Sequence, residues 1–239
     1  MKIQIYGDSN IGCVRKNNED SLLFDEALRL SIVCDGIGGR EGGEVASQLA
    51  AEKMKDEITD WRVKHEDPIS FLTAATQRIN QLILQRGIQT PNLEGMGTTM
   101  ECSLFHDKTL YLAHIGDSRT YLFFNNQLWQ LTIDHNVKTL MAYGDIPTEM
   151  GKLVGGDALV KALGVGPEAE PDIYTVKLQH KQLFMSASDG LFDMVSDEEI
   201  AKIIEKNWAD TDCIIKELIE LACRNGGVDN ISLVITRVI

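Results

Sequence analysis

The sequence predicts an α+β protein in which antiparallel sheets carry helices on their outer faces. Helical periodicity occurs in two groups, at about 43–87 and about 196–225, and does not alternate singly with strands. Short apolar or alternating segments precede, separate and follow those groups. No repeat, low-complexity tract or Pro/Ser-rich linker interrupts the chain, so residues 1–239 are expected to form a single domain.

Residues 2–6 alternate and 29–34 (Arg-Leu-Ser-Ile-Val-Cys) are short and largely apolar, as strands are. Ala46, Leu49, Ala50, Met54, Ile58 and Trp61 recur at three- and four-residue steps and predict a helix over about 43–60. A second helix begins at Asp67-Pro68, where Asp caps and Pro suits the first helical position. Its stripe is Leu72, Ala75, Ile79, Leu82 and Ile83, with Gly87 as its stop. Strands are expected at 98–105, 109–115, 119–124 and 128–131, with a hairpin turn at Asn125-Asn126. Residues 134–168 carry six glycines and read as a surface insertion outside the core. Strands resume at 173–178 and 182–188. Ser196 with Glu199 is a capping-box pattern before Ile200, Ile203 and Ile204. A last helix over about 211–225 ends at Asn225-Gly226-Gly227, before a strand at Ile231–Val238.

Composition narrows the function classes. An apolar fraction of 44% over 239 residues is enough for a sizeable core. The cysteines at 13, 34, 102, 213 and 223 are scattered and form no Cys-x-x-Cys pair, which argues against a disulfide framework or zinc site and fits a reducing cytoplasm. A signal-peptide apolar region and a membrane-length apolar run are both absent from the sequence. The net charge of −13 disfavours nucleic acid and anionic lipid as partners.

The chemistry is signalled by where certain aspartates fall. Asp35 follows Leu-Ser-Ile-Val-Cys, Asp117 follows Leu-Ala-His-Ile-Gly, and Asp189 follows Phe-Met-Ser-Ala-Ser. Asp229 precedes the last strand, and Asp20 precedes Ser21-Leu22-Leu23-Phe24. One Asp-Gly after a strand is an ordinary turn signal. Five acids at strand ends meet at one edge if the strands are neighbours, and their repulsion is relieved by a hard divalent cation. Oxygen ligands without a His/Cys cluster point to magnesium or manganese. Gly36 allows close backbone approach, so its carbonyl is a further candidate ligand. Neither a Walker-type glycine loop nor a Gly-x-Ser-x-Gly elbow occurs.

Six motifs in order carry a family resemblance. They are Arg15-Lys16-Asn17-Asn18-Glu19-Asp20, Cys34-Asp35-Gly36-Ile37-Gly38-Gly39, Gly95-Met96-Gly97-Thr98-Thr99, Gly116-Asp117-Ser118-Arg119, Ser188-Asp189-Gly190 and Asp229-Asn230-Ile231-Ser232. Together they resemble the protein phosphatase 2C family in its compact bacterial form. The resemblance implies a central β-sandwich of two mainly antiparallel sheets flanked by helix pairs, a four-layer αββα arrangement with a flap insertion at about 134–168. It implies hydrolysis of protein phosphoserine and phosphothreonine with two or three Mn2+ or Mg2+ ions. Asp35 would bridge two metals, joined by the Gly36 carbonyl, Asp189 and Asp229. Asp20 would act through water, and Asp117 with Asp189 would hold a third ion. Arg15 would grip the substrate phosphate. The attacking group would be a water shared by two metals, so no cysteine nucleophile is needed and Cys34 reads as a buried strand residue.

Three departures are visible. Arg40 stands where bacterial relatives commonly carry a histidine suited to protonate the leaving group; arginine does not readily release its proton, so Arg40 is expected to bind or steer phosphate, with a metal-bound water as the other source of the proton. Met150-Gly151-Lys152-Leu153-Val154-Gly155-Gly156 replaces the flap's basic stretch. Glu19 is at a position that varies, and an indirect role is expected for it. His114 reads as a packed residue, and His135 as a surface position more readily than a site residue. The resemblance further implies phosphorylated protein partners, targets of a Ser/Thr kinase, and a cytoplasmic monomer. The competing readings are a phosphatase-fold module that binds phosphorylated partners without turnover, and another two-metal hydrolase.

Overall fold

The computed structural model describes residues 1–38, 42–64 and 67–239, without the side chains of Thr148, Met150 and Lys152. Gly39, Arg40 and His65 lie outside the described residues. The chain opens with β1 (Ile3–Asn10), β2 (Ser21–Asp25), β3 (Leu30–Cys34) and the two-residue β4 (Gly36–Ile37). Helices α1 (Gly42–Lys64) and α2 (Pro68–Gln89) follow. The middle comprises β5 (Gly97–Thr98), β6 (Met100–His106), β7 (Thr109–Ile115), β8 (Arg119–Phe124) and β9 (Gln127–Gln130). Short helices α3 (Val137–Tyr143) and α4 (Thr148–Val154) come next, then β10 (Asp172–Lys177) and β11 (Leu183–Ala187). The chain closes with α5 (Asp189–Phe192), α6 (Asp197–Lys206), α7 (Thr211–Arg224) and β12 (Ile231–Val238).

Antiparallel pairing makes two five-stranded sheets, ordered β1-β12-β11-β8-β9 and β10-β7-β6-β3-β2. Strand period two explains the layering. In β3, Leu30, Ile32 and Cys34 pack beneath α1 and α2, while Val33 faces the opposite sheet. In β12, Ile231, Leu233 and Ile235 pack under α6 and α7, while Val234 and Val238 face inward. The central apolar layer also holds Ile5, Leu112, Phe105 and Phe184, the last two edge to face at 5.7 Å between ring centres. Helix pair, sheet, sheet, helix pair is the four-layer αββα order expected.

Local signals account for most boundaries. Asp67 accepts from the Ser70 amide at 2.9 Å, with Pro68 opening α2. Ser196 and Glu199 form the reciprocal capping box. Asn125 and Asn126 turn at φ 51° and 60°, as a tight hairpin requires.

Three expectations are corrected. Gly87 does not stop α2, which runs on to Gln89. A Cβ there would meet the Leu93 carbonyl oxygen at 3.0 Å, so Gly87 serves close packing. The strand expected at 98–105 is two strands: β5 pairs with β4, β6 pairs with β3, and Thr99 passes between them. Residues 134–168 are not wholly a surface insertion. His135, Asn136, Ala162 and Leu163 are buried, and Thr98 and Leu163 exchange backbone hydrogen bonds of 3.0 and 2.9 Å.

The returning end of that segment is pinned by Asn80, a fully buried residue of α2. Its carbonyl accepts from the Gly164 amide at 2.7 Å, and its amide donates to the Gly166 carbonyl at 2.9 Å. Asn80→Ala strips both groups of their partner and should lower unfolding free energy by about 2–4 kcal/mol in urea denaturation. A loss below about 0.5 kcal/mol, the ordinary surface range, would mean the segment is held elsewhere.

Candidate active site

Sheet register brings the predicted acids together. Ser21 opposes Cys34, so Asp20 and Asp35 leave neighbouring strands side by side. Ala187 opposes Leu233, which brings Asp189 near Asp229 on the other sheet. Asp117 follows β7 in the same sheet as Asp35. The result is a pocket of about 190 Å³ whose wall includes Arg15, Asp35, Gly36, Asp117, Asp189 and Asp229. Asp20 sits behind this wall, its carboxylate accepting from the Ser188 hydroxyl at 2.8 Å. Arg40 lies outside the described residues.

The backbone around the acids is over-determined. The Asp35 amide donates to Thr99 Oγ1 at 2.9 Å. Its carbonyl accepts from the Thr99 amide at 2.9 Å and from Thr98 Oγ1 at 2.8 Å. Thr99 Oγ1 lies 2.7 Å from Ser118 Oγ, which ties the Asp35 turn to the Asp117 turn. A Cβ on Gly36 would fall 2.2 Å from the Gly43 carbonyl oxygen, and one on Gly190 would fall 2.1 Å from that of Asn230. These two glycines are needed for close approach more than for turning.

Arg15 is half exposed and donates to Asp229 Oδ2 at 2.5 Å. Its loop is held by buried Asn230, which accepts from the Glu19 amide at 2.8 Å. The same side chain donates to the carbonyls of Ile11 at 2.9 Å and Asn17 at 3.0 Å. Asp229, through Arg15, and Asn230, through that loop, therefore fix the segment from both sides.

Electrostatics sets these acids apart from ordinary turn aspartates. Burial, then the charges of Asp20, Asp189, Asp117 and Asp229, hold the Asp35 carboxyl well above the usual range. Burial and the neighbouring Asp117 and Asp229 push Asp189 up to about 7. Burial and Asp134 raise Asp117 to about 6. Burial raises Asp20 to about 6 against the hydroxyls of Ser232 and Ser188, which donate to it. The Arg15 guanidinium is raised by its hydrogen bond to Asp229.

These residues fit a hard divalent cation. The donors are oxygens, the carboxylates repel one another, and Asp189 Oδ1 is buried with no hydrogen-bond partner. Among the described residues no three such side chains converge on one point as they stand; the acids ring the pocket.

The histidines divide. His114 is a packed residue as expected: Nδ1 pairs closely with buried Glu101, and Nε2 donates to the Ile133 carbonyl at 2.9 Å. His135 is neither on the surface nor at the pocket, which corrects its expected place. It is buried against His114, with ring centres 4.4 Å apart, and accepts from the Gly116 amide at 3.1 Å. Burial and His114 lower it to about 4, so it is neutral and free to accept. Cys34 is fully buried, as expected.

Sequence reasoning missed several contributors. Thr98, Thr99, Ser188 and Asn230 stand inside the quoted motifs, yet their clamping roles depend on contacts distant in sequence. Asp157, from the 134–168 segment, lines the pocket, and Asp193 adds to the field on Asp189. Neither lies at a strand end, the one signal used to find the others.

The matches to known proteins bear on the fold and the family. The family model for Protein phosphatase 2C matches residues 8–140 and 156–231. The serine/threonine protein phosphatase PstP of Mycobacterium tuberculosis is 37% identical over 233 residues, covering 97% of this chain but 44% of that protein. This chain thus spans less than half of that relative's length. The serine/threonine phosphatase stp of Listeria monocytogenes is 32% identical over 231 residues, covering 94% of this chain and 91% of its own. The crystal structure of M. tuberculosis PstP superposes with a TM-score of 0.87 at 35% identity, covering 100% of this chain and 99% of that one. The PstP catalytic domain in complex with two manganese ions gives 0.85 at 36% identity, covering 99% and 98%.

The two-sheet fold superposes over nearly its whole length on the solved phosphatase structures named above. The chain belongs to the protein phosphatase 2C family.

The raised carboxyls make a stability prediction. Each binds its proton more tightly folded than unfolded, so its stabilising contribution is full below the unfolded value of 3.8 and lost as pH rises through about 6 to 7. A divalent cation held by these carboxylates would replace those protons. The rise in Tm on adding millimolar Mn2+ should therefore be small near pH 5 and should grow to several degrees by pH 8. An increment independent of pH, read by scanning calorimetry, would exclude these acids as the binding groups.

Proposed function

We propose that residues 1–239 form a single catalytic domain that hydrolyses phosphoserine and phosphothreonine in proteins with divalent-cation assistance. The carrying observation is the convergence of strand-end acids from both sheets on one pocket beside an exposed arginine. Asp35, Asp189, Asp229 and Asp117, the Gly36 carbonyl and, from behind, Asp20 are the groups that would hold Mn2+ or Mg2+. Two ions, and a third at Asp117 and Asp189, are the expected complement. When bound, such cations supply Lewis-acid stabilisation of phosphoryl oxygens and a water acidified toward neutrality.

The chain's own residues do the rest. Arg15 offers five N–H donors and spends one on Asp229. Its remaining donors face the equatorial oxygens of a phosphate entering the pocket and neutralise charge as the seryl or threonyl oxygen leaves. Thr98, Thr99 and Asn230 keep Asp35 and the Arg15 loop from drifting as charge moves. Ser188 orients Asp20. Arg40 is assigned to phosphate steering on its side-chain chemistry. The partners are phosphorylated proteins, and targets of a Ser/Thr kinase are the natural set. A monomer in the cytoplasm is the proposed state; no described helix is long and apolar enough to cross a membrane.

Turnover of a phosphothreonine peptide with Mn2+, stopped by EDTA, is the primary test, and no turnover across several divalent cations and pH values would exclude the activity. Asp35→Asn should lower kcat by at least about a thousandfold with the fold intact by circular dichroism. Arg15→Ala should raise KM about tenfold and change kcat less. Arg40→His separates two roles: faster turnover of poor leaving groups would mean that an acid was missing, whereas a raised KM fits phosphate steering.

A further inference from the structure

Two cysteines that no step of the hydrolysis uses lie together beside the arginine loop. Cys13 is exposed on the connection between β1 and β2, and Cys223 is half-buried in the last turn of α7. They are 210 residues apart in sequence, yet Cys13 Sγ lies 3.6 Å from the Cys223 carbonyl oxygen. Gly227 sits between them. A Cβ placed on it would be 2.9 Å from Cys13 Sγ and 3.2 Å from Cys223 Cα, so both cysteines border one small volume. The backbone joins the same two segments, with the Cys13 amide donating to the Gly227 carbonyl at 2.7 Å. The Cys223 thiol is raised by burial and by its contact with the Cys13 thiol.

We propose that Cys13 and Cys223 form a reversible disulfide under peroxide and that this bond restrains Arg15. The exposed Cys13 meets the oxidant. Its thiolate sulfur attacks one peroxide oxygen, the O–O bond breaks, and Cys13 becomes a sulfenic acid as water leaves. The Cys223 thiolate then attacks the Cys13 sulfur; the S–S bond forms, the S–O bond breaks, and a second water leaves. Two thiols lose two electrons and two protons, and the peroxide takes them. A small dithiol reverses the reaction by exchange.

Position supports both the selectivity and the consequence. Cys34 and Cys102 are fully buried and out of reach of dissolved peroxide, whereas Cys13 is exposed, so they are poor competitors. Cys213 stands in the first turn of α7, about 15 Å from Cys223 at the helical rise. Cys13 precedes Arg15 by two residues, and the turn after Cys223 leads to Asp229, the carboxylate that Arg15 holds at 2.5 Å. A bond between these segments staples the loop at its base and keeps Arg15 on Asp229 and away from incoming phosphate. This consequence rests on the proposed phosphate-binding role of Arg15; the bond itself does not.

The test treats the full chain with hydrogen peroxide and maps cysteines by non-reducing peptide mass spectrometry. A Cys13–Cys223 cross-linked peptide, lost on dithiothreitol treatment, is expected. Cys223→Ser should abolish it and leave Cys13 as a dimedone-reactive sulfenic acid, whereas Cys213→Ser should leave it unchanged. A bridge that uses Cys213, or over-oxidation of Cys13 without a bridge, overturns the pairing. In a phosphothreonine-peptide assay the oxidised wild type should show KM raised about fivefold with kcat within about twofold, and peroxide should leave the KM of Cys223→Ser unchanged. A bridged protein with unaltered KM overturns the link to Arg15. The mass-spectrometric result stands whether or not the chain is an active phosphatase.

Discussion

Mutual repulsion among carboxylates that cannot move apart is the constraint on which this structure turns. A surface aspartate escapes a like charge by rotating into water. Asp35, Asp117, Asp189 and Asp229 are set at the ends of paired strands, and the backbone around them is clamped by Thr98, Thr99 and Asn230. Repulsion is therefore relieved by a proton, a cation or an arginine. The raised carboxyls and the Arg15–Asp229 pair express two of these outlets.

The acids come from both sheets, so the distance between sheets sets the width of the pocket. Asp35 follows a strand of one sheet, Asp189 and Asp229 flank strands of the other, and Asp117 lies on the connection that crosses from one to the other. The apolar layer between them, with Phe105 against Phe184, supplies cohesion but little direction. Direction comes from a buried polar chain across the layer. Glu101 of β6 accepts from the Thr120 hydroxyl of β8 at 2.5 Å, and Thr120 lies 2.8 Å from Ser186 of β11. Hydrogen bonds of this kind lose their value if the sheets slide, which ties the relative position of the acids to the core.

Much of this was legible in the sequence because it rests on local signals. Strand alternation, the Asp67-Pro68 start, the Ser196–Glu199 box and the strand-end position of five acids all act within a few residues. What was illegible depends on pairing at long range. Gly87 looks like a helix stop and is instead a place where the chain returns against α2. Thr99 looks like mid-strand and is the crossing between two pairings that grips Asp35. His135 looks like a surface residue because its partners, His114 and Gly116, are set by how the segment after β9 folds back. Asp157 reaches the pocket because the 134–168 segment is held at its ends by Asn136, Leu163 and Asn80, and periodicity carries no trace of that.

The Arg15–Asp229 pair also explains how one acid can belong to two tasks. A carboxylate has two oxygens, and Arg15 takes the proton-accepting capacity of Oδ2 alone, while Oδ1 accepts from the Asn230 amide at 2.8 Å. On the proposed roles, a cation held by Asp229 would weaken the hold on Arg15 by sharing the same negative charge. The guanidinium would then gain more from a dianionic phosphate than from the partly neutralised carboxylate. Cation and substrate would in this way favour each other's binding through a single side chain, and any bond that immobilises the Arg15 loop acts at the point where that coupling passes.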